Sequence, residues 1–301
     1  MKTARFRFSE DAQSLIGALV VIALLPFLFG MIPIGGLLTA VLPRAWWPLL
    51  GLNPSHAEAM QTAIVNFRPF TVASTWRFLG LGLMMTVGVS LVSILLSLPL
   101  ATFTALGRLS SRFWVRWPTI AGVEGIRAFP VLILIFYVFV QFSRVAEATN
   151  QSWLKSNNVT LSVVVALTLY TTVVNAETIR AGILSLDKGQ TEASRSLGLS
   201  YAQAMWLVIL PQTFRRVLPP LIAQFVTLVK DTSLGAIVGL LELYHRGQIL
   251  YQFNRNPMET FFFIAVIYFA ELCVRLGCAV PRPADHRVAP RGGGSGSTGI
   301  D

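Results

Sequence analysis

Polar side chains interrupt two of the most apolar stretches of the chain, and their types could do chemistry. The first group follows the apolar run that begins at Leu161, and the second lies near residue 230. Their members are Thr172, Asn175, Glu177 and Arg180, and then Lys230, Asp231 and Thr232. Ionisable side chains are costly in a membrane and usually face a protein interior or a water-filled cavity. The two groups therefore indicate a transport pathway or structural ion pairs.

The position of these groups within their apolar runs favours a binding site. Thr172 lies about eleven residues into one run and Lys230 about thirteen into the other. At a rise of 1.5 Å per residue this is roughly 16–20 Å, near the middle of a ~30 Å hydrocarbon core. Antiparallel helices could bring both groups to one depth, with Thr232 opposite Thr172 and Asn175, and transporter sites favour that depth.

Other interpretations of the charged residues stay open. Glu177 and Arg180 are three residues apart and can form an ion pair on one helix face. Lys230 and Asp231 are adjacent and point in different directions, so Lys230 either meets substrate or neutralises a buried carboxylate. Glu177 and Asp231 could also form the carboxylate pair of an intramembrane enzyme, provided that they lie close together in a hydrated cavity.

No other pattern indicates catalysis or a bound cofactor. The three histidines are scattered, and the sequence has neither a Walker A loop nor a His-Glu-x-x-His motif. Cys273 and Cys278 are interpreted as structural thiols, because their number and spacing suit neither a disulfide framework nor a zinc site. We predict no enzyme activity, no metal and no cofactor on this chain. Without basic patches interleaved with aromatic residues, nucleic-acid binding is not expected either.

The stretch Gly189–Pro211 is a polar island between apolar segments. Its pattern predicts two short helices joined by a tight turn. The first is capped by an acidic residue and ended by a glycine, and the second begins with a capping box and is stopped by a proline. The boundary residues are, in order, Asp187 with Gln190, Gly198, Ser200 with Gln203, and Pro211.

The elements that must position these residues are apolar runs of about twenty residues, the length of a membrane-spanning helix. With 54% hydrophobic and 13% charged residues in 301, the chain is predicted to be an all-α polytopic membrane protein that contacts lipid. Six spans are expected, namely Ser14–Leu38, Phe78–Leu106, Thr119–Phe142, Leu161–Gly182, Val217–Leu243 and Pro257–Gly277.

The distribution of Lys and Arg predicts the orientation. The N-terminus, residues 106–117, residues 183–216 and the C-terminal tail together hold 13 basic residues, whereas the opposite loops hold 7. The more basic side of a membrane protein is normally cytoplasmic. Both termini and the polar island should therefore face the cytoplasm, and this bias also accounts for much of the net charge of +10.

The polar island resembles the docking loop of ATP-binding-cassette importer permeases: Glu192-Ala193-Ser194, three residues, Gly198, and twelve residues to Pro211. From about Met84 to Tyr268 the chain is similar to the polar amino acid subfamily of these permeases. The matching motifs are Glu124-xx-Arg127-xx-Pro130, Ala176-Glu177-xx-Arg180-Ala181-Gly182, Lys188-Gly189-Gln190, Pro211-Gln212, Leu218-Pro219-Pro220 and Lys230-Asp231-Thr232-Ser233-Leu234. Ala128-Phe129 departs from the glycine-threonine that the family commonly has there.

The resemblance implies a permease subunit that imports general, acidic or amide amino acids across a bacterial plasma membrane. It implies an ATPase dimer that carries ATP and Mg²⁺, a second permease copy or paralogue, and an external substrate-binding protein. The expected ATPase-coupling residues are Gln190, Glu192, Ala193, Ser194, Gly198, Leu199, Ser200 and Pro211. The alternative is an autonomous secondary transporter, which would not need the docking helices.

Three segments follow from this division. Residues 1–77 form an extra span and an external loop, residues 78–280 the permease core with the docking loop at 183–216, and residues 281–301 a tail of linker composition. In the core, neutral groups such as Thr172 and Asn175 would orient a zwitterion at little desolvation cost.

Overall fold

The computed structural model describes residues 54–279 together with Leu38 and Arg44, and for residues 56–57 and 272–279 it describes only the backbone. This part of the chain is helical and contains no strand, which confirms the all-α prediction. The helices are α1 (Pro54–Phe67), α2 (Ala73–Arg108), α3 (Phe113–Ala128), α4 (Val131–Thr149), α5 (Ser152–Leu184), α6 (Lys188–Ser196), α7 (Tyr201–Ala204), α8 (Leu210–Asp231), α9 (Leu243–Asn254) and α10 (Pro257–Ala279).

Four stretches among the described residues are helical, long and apolar enough to cross a membrane. They are α2, α4, α5 and the continuous helical stretch Tyr201–Val238. The first predicted span, Ser14–Leu38, lies outside the described residues except for its last residue. The sixth, Pro257–Gly277, coincides with the 23-residue helix α10, and its crossing of the membrane stays a prediction.

The predicted boundaries of the third span, Thr119–Phe142, are wrong. The chain breaks between α3 and α4 at Phe129, which has extended backbone angles (φ −87°, ψ 133°). The following Pro130 explains the break, because a proline disfavours helical angles in the residue before it and donates no backbone hydrogen bond. The apolar span is α4, which begins at Val131.

The fifth predicted span, Val217–Leu243, is also interrupted. Helix α8 gives way to a 3₁₀ segment, Thr232–Val238, which ends at Gly239 with a left-handed φ of +89°. A residue without a side chain adopts this angle readily, so the chain turns here before α9 starts. Gly239 therefore serves the turn, whereas Gly235, four residues earlier, packs closely on the Val163 side chain of α5.

The core is built on α2 and α5, which run parallel to each other. Ser90, Ser93 and Ser97 form a small-residue face of α2 and are fully buried. The Ser93 hydroxyl donates to the Val164 carbonyl of α5 (3.3 Å). Small side chains allow this close approach of membrane helices. Helix α8 packs against both α2 and α5 through Val217 and other buried apolar residues.

A buried carboxylate joins α2, α9 and α10. Glu242 is fully buried and caps α9, accepting hydrogen bonds from the backbone N–H groups of Tyr244 (2.9 Å) and His245 (2.7 Å). The Tyr268 hydroxyl of α10 donates to the same carboxylate (3.3 Å), and the Thr86 hydroxyl of α2 lies 3.5 Å from it. These contacts fix the start of α9 against its two neighbours.

Candidate functional site: a docking helix pair and a polar helix face

The first helix of the polar island begins as predicted, but without a capping box. The Asp187 carboxylate accepts a hydrogen bond from the backbone N–H of Gly189 (2.8 Å), which confirms Asp187 as the N-cap of α6. The Gln190 side chain does not bond back to Asp187, although its backbone N–H donates to the Asp187 carbonyl (3.0 Å). Its side-chain oxygen instead accepts from the amide of Gln212 (3.1 Å), which ties α6 to α8.

The end of α6 is a Schellman motif centred on Gly198. The backbone N–H of Gly198 donates to the Arg195 carbonyl (2.9 Å), and that of Leu199 donates to the Ser194 carbonyl (3.3 Å). Gly198 has a left-handed φ of +83°, the conformation that this motif requires and that glycine adopts without penalty. The predicted role of Gly198 as the terminator of the first docking helix is confirmed.

The second docking helix starts as predicted and ends differently. The Ser200 hydroxyl accepts from the backbone N–H of Gln203, and the Gln203 side chain accepts from the backbone N–H of Ser200, a complete capping box. The prediction that Pro211 stops this helix is wrong. The chain continues through a π-helical turn, Met205–Ile209, into α8. Pro211 lies just after that turn and within the continuous helical stretch Tyr201–Val238.

The docking helix pair, α6 and α7 with the turn between them, presents side chains to the outside. Leu197 is 84% exposed and Tyr201 56% exposed, and Glu192 and Ala193 are also exposed. Ser194, in contrast, is buried, and its hydroxyl donates to the Thr191 carbonyl. The predicted coupling residues therefore divide into an outward surface and an inward support.

A small apolar cluster supports the docking helix pair. Met205, Ile209 and Leu210 are buried together, and Leu106 of α2 and Ile183 of α5 pack against them. The rings of Phe103 and Trp206 also meet, with centroids 6.0 Å apart. A displacement of the docking helix pair would therefore act directly on the ends of α2 and α5.

An ion network lies at the same end of the molecule. The Glu177 carboxylate accepts hydrogen bonds from the guanidinium of Arg180 on the same helix, as predicted. It also accepts one from the guanidinium of Arg108 at the end of α2 (2.9 Å). Arg108 also bonds Glu124 of α3 (3.1 Å). The sequence indicated the Glu177–Arg180 pair from its spacing but not the two bonds of Arg108, because these join residues far apart in the chain.

Four polar residues line one face of α5 at positions i, i+3, i+4 and i+7: Thr168, Thr171, Thr172 and Asn175. All are buried, and Asn175 fully. Within the described residues, none of the three threonine hydroxyls and neither amide atom of Asn175 has a hydrogen-bond partner. Buried polar groups are nearly always paired with protein, water or ligand. This polar face therefore offers donors and acceptors to a bound molecule or to water.

The sequence identified Thr172 and Asn175 but missed Thr168 and Thr171. A threonine within a helix commonly bonds the carbonyl four residues earlier, as Thr178 does with Val174, so its presence alone carries little information. The i, i+3, i+4, i+7 spacing of all four residues was the available signal.

The second polar group does not lie opposite this face. A Cβ on Gly182 would meet the Val217 side chain, and one on Gly235 would meet the Val163 side chain. These contacts fix the antiparallel register of α5 and α8, which places Thr172 level with about residue 226. Thr232 lies about a turn and a half further along, and its hydroxyl donates to the Val229 carbonyl (2.7 Å).

The remaining predicted residues of this group differ in exposure. Lys230 is exposed and Asp231 half-buried. In the same register, Asp231 is level with about residue 167, some ten residues from Glu177, or about 15 Å along the helix axis. The two carboxylates therefore do not form the close pair that an intramembrane enzyme of this kind would need. The described part of the chain contains no group of three or more His, Cys, Asp or Glu residues that could hold a metal ion.

The described residues thus combine long apolar helices, a capped helix pair at one end and a buried polar helix face. The family of binding-protein-dependent transport system inner membrane components matches residues 97–276. The chain belongs to that family. Its members are transport subunits of systems that also contain an ATPase, and the predicted class of protein is confirmed.

Named relatives agree with this assignment. The chain is 34% identical to the probable glutamine ABC transporter permease protein GlnP of Bacillus subtilis over 65% of this chain and 84% of the relative. It is 36% identical to the glutamate transport system permease protein GluD of Corynebacterium glutamicum over 67% and 72%. The fold is also similar to that in a crystal structure of an amino acid ABC transporter with histidines. The two structures match over 70% of this chain and 94% of the chain in that crystal structure, with 25% sequence identity and a TM-score of 0.58.

Proposed function

We propose that this chain is the membrane-spanning permease subunit of an ATP-driven amino acid importer. Family membership and the similarity to glutamine and glutamate permeases support the reaction class. ATP and Mg²⁺ would be bound by a separate ATPase dimer, since this chain carries no Walker A loop. The proposal includes a second permease copy or paralogue, an external substrate-binding protein, and a bacterial plasma membrane with both termini of the chain in the cytoplasm.

The docking helix pair is the proposed contact with the ATPase. Its exposed apolar side chains, Leu197 and Tyr201, are available to fill a recess on a partner. Two caps and a left-handed turn hold the residues that we propose for coupling near these side chains. When the ATPase pair closes on ATP, the docking helices would move with it, and the cluster around Met205 would pass that motion to α2 and α5. Family membership disfavours the alternative of an autonomous secondary transporter.

The polar face of α5 is the proposed substrate contact, and the unpaired amide of Asn175 is the observation that carries this proposal. An amino acid brings an ammonium and a carboxylate. An amide and neighbouring hydroxyls can donate to the carboxylate and accept from the ammonium without holding a net charge in the empty site. Thr172 would assist Asn175, and Thr168 and Thr171 extend the same surface.

The other predicted substrate residues have more distant roles in this proposal. Lys230 and Asp231 lie further along α8, where they could contact a substrate side chain, and Lys230 would then favour acidic or amide substrates. Thr232 and Glu177 each have a hydrogen-bond partner within the chain. They would shape the pathway rather than bind the zwitterion.

The test is amino acid uptake by the purified complex in proteoliposomes. The chain should co-purify with an ATPase, and the complex should accumulate a labelled amino acid only with ATP on the ATPase side. Asn175→Leu removes the unpaired donors and acceptors and keeps the branching and the number of side-chain heavy atoms. We expect it to lower uptake at least about tenfold, the effect of losing 1.4 kcal/mol of polar contact, while basal ATP hydrolysis by the assembled complex persists.

Asn157→Leu provides a control on the same helix, because Asn157 is only half-buried and its amide already donates to the Trp153 carbonyl and the Ser156 hydroxyl. It should leave uptake unchanged. Wild-type uptake without any ATPase subunit would contradict the proposed function. If Asn175→Leu transported as well as Asn157→Leu, the α5 face would be structural and selectivity would lie elsewhere.

A further inference from the structure

Helix α3 is loosely attached compared with its neighbours. It is separated from α2 by the turn at residues 109–112 and from α4 by the break at Phe129 and Pro130. Val123 is its one buried residue. A Cβ added at Gly122 or Gly125 would meet no atom within 4 Å. Helix α3 therefore contacts its neighbours, α2 and α5, through a small part of its surface.

Two close side-chain approaches between α3 and α2 lie at the end of α2. The Arg108 guanidinium bonds the Glu124 carboxylate at 3.1 Å. One residue earlier, Gly107 faces Thr119, and a Cβ on Gly107 would lie 3.6 Å from the Thr119 Cβ. The backbones of the two helices thus approach closely at one place, and an ion pair closes the contact.

The opposite side of α3 has room for movement. An apolar cavity of about 530 Å³ lies between α3 and α4, lined by Gly125 and Ile126 on one side and by Ile133 and Tyr137 on the other. Its mouth is partly open. A shift of α3 away from α2 would move it into this space, without displacing the packed core of α2 and α5.

Arg108 can release Glu124 without losing its other partner. Its side chain is 13% exposed and also bonds Glu177 of α5 at 2.9 Å, whereas the Glu124 side chain is 55% exposed. After separation, water could solvate Glu124 while Glu177 continues to pair the buried guanidinium. The Arg108–Glu124 ion pair is therefore the more exposed of the two, and water can replace it while the Arg108–Glu177 pair stays in place.

The network also borders the docking helix pair. Leu106, two residues before Arg108, packs on the cluster that supports the docking helices. Ile183 of α5, which follows Glu177 by less than two turns, packs on the same cluster. Movement of the docking helix pair would reach Arg108 from both of the helices that hold it.

We propose that Arg108 is a positioning residue of the transport cycle, which holds α3 against α2 in this conformation, and that α3 separates from α2 at each turnover. The inference rests on the proposed function of the chain as a permease. It assigns α3 as a mobile element that the docking helices release through Arg108.

A disulfide between α2 and α3 tests this directly. The 3.6 Å separation lies within the 3.5–4.5 Å that a disulfide requires between Cβ atoms. Gly107→Cys with Thr119→Cys, in a chain whose Cys273 and Cys278 are replaced by serine, should oxidise readily in the resting complex. We expect the oxidised complex to lose uptake and stimulated ATP hydrolysis, and reduction with dithiothreitol to restore both.

Each control separates this proposal from the proposed function. The serine-background parent, the reduced double variant and the two single-cysteine variants under oxidant should all transport normally, and a wild-type complex without ATP-dependent uptake would count against the permease assignment itself. Full uptake by the oxidised complex, with the cross-link verified by mass spectrometry, would overturn the separation of α3. A pair that fails to oxidise would overturn it too, since the resting contact would be absent.

A second variant tests the role of the ion pair. Glu124→Gln weakens the α2–α3 bond and leaves Arg108 paired with Glu177. We expect substrate-independent ATP hydrolysis to rise about two- to fivefold, the factor that an exposed ion pair contributes, with less substrate moved per ATP. Glu147→Gln on α4 is the matched control, since that exposed carboxylate has no ion pair in the described structure. Equal coupling ratios in the two variants would refute a positioning role.

Discussion

At Gly198 the backbone angle alone determines where the second docking helix goes. The φ of +83° turns the chain so that two N–H groups meet the last carbonyls of α6, and the capping box of Ser200 begins two residues later. A side chain with a branched Cβ is a genuine outlier at this angle. The space around Gly198 is open, so a substitution here acts through the backbone and not through a steric clash.

Gly198→Val should therefore misplace the docking helix pair while the spans still insert. We expect a local cost of roughly 1–2 kcal/mol, the penalty of a left-handed conformation, and weaker association with the ATPase with loss of uptake. Co-purification and uptake measure both effects. Gly88→Val is a matched control, because Gly88 is exposed within α2 and also has open space. Normal substrate-stimulated ATP hydrolysis in Gly198→Val would contradict the docking assignment.

Predictions at single residues succeeded where the determining interactions are local. Asp187, Gly198, Ser200 and the Glu177–Arg180 pair are specified by neighbours within a few positions, and the sequence displays those neighbours. The Arg108 bonds and the buried Glu242 were missed, because their partners come from other helices. Lys230 is adjacent to Asp231 in the sequence, but its exposure depends on how α8 faces the rest of the molecule.

Among the elements, apolar length predicted the helices better than it predicted their ends. The runs that became α2 and α5 were found because their small and apolar residues continue without interruption. The break before Pro130 and the turn at Gly239 lie inside apolar runs, where composition gives no boundary. The second docking helix continues through the π-helical turn at Met205–Ile209 into α8, so Pro211 lies inside a continuous helical stretch and not at a helix end.

The start of α9 shows how one buried side chain can hold three elements. Glu242→Leu would leave the N–H groups of Tyr244 and His245 and the Tyr268 hydroxyl without their acceptor inside the protein. Each orphaned donor costs roughly 1–3 kcal/mol. We expect a clear fall in the apparent Tm of the purified chain in detergent.

Glu147→Leu gives the reference for that measurement, since it replaces an exposed carboxylate on α4 with the same side chain. It should change the apparent Tm little. If Glu242→Leu were as stable as this reference, the three hydrogen bonds would not be holding α9, and its position would depend on the close contact of Gly82 with Leu243.

At the scale of the whole molecule, the elements with a proposed role in coupling lie at one end. The Arg108 network, the turn between α2 and α3 and the docking helix pair lie together, because Leu106 and Ile183 pack on the same cluster. The start of α5 at Ser152 lies at the other end of a 33-residue helix, about 50 Å away at 1.5 Å per residue. This separation makes the orientation in the membrane measurable with single cysteines.

Cysteines placed singly at Ser110 and Ser200 should both face the cytoplasm, and one at Ser152 should face outward, if the excess of basic residues sets the orientation. The test uses a chain whose Cys273 and Cys278 are replaced, in intact cells, with a membrane-impermeant thiol reagent. Ser152→Cys should react, and the other two should react only after the cells are opened. Ser152 and Ser200 are exposed, so protection of the cysteine at 200 would reflect the membrane barrier and not burial. Labelling of Ser200→Cys from outside would reverse the orientation and place the docking helices where no cytoplasmic ATPase could reach them.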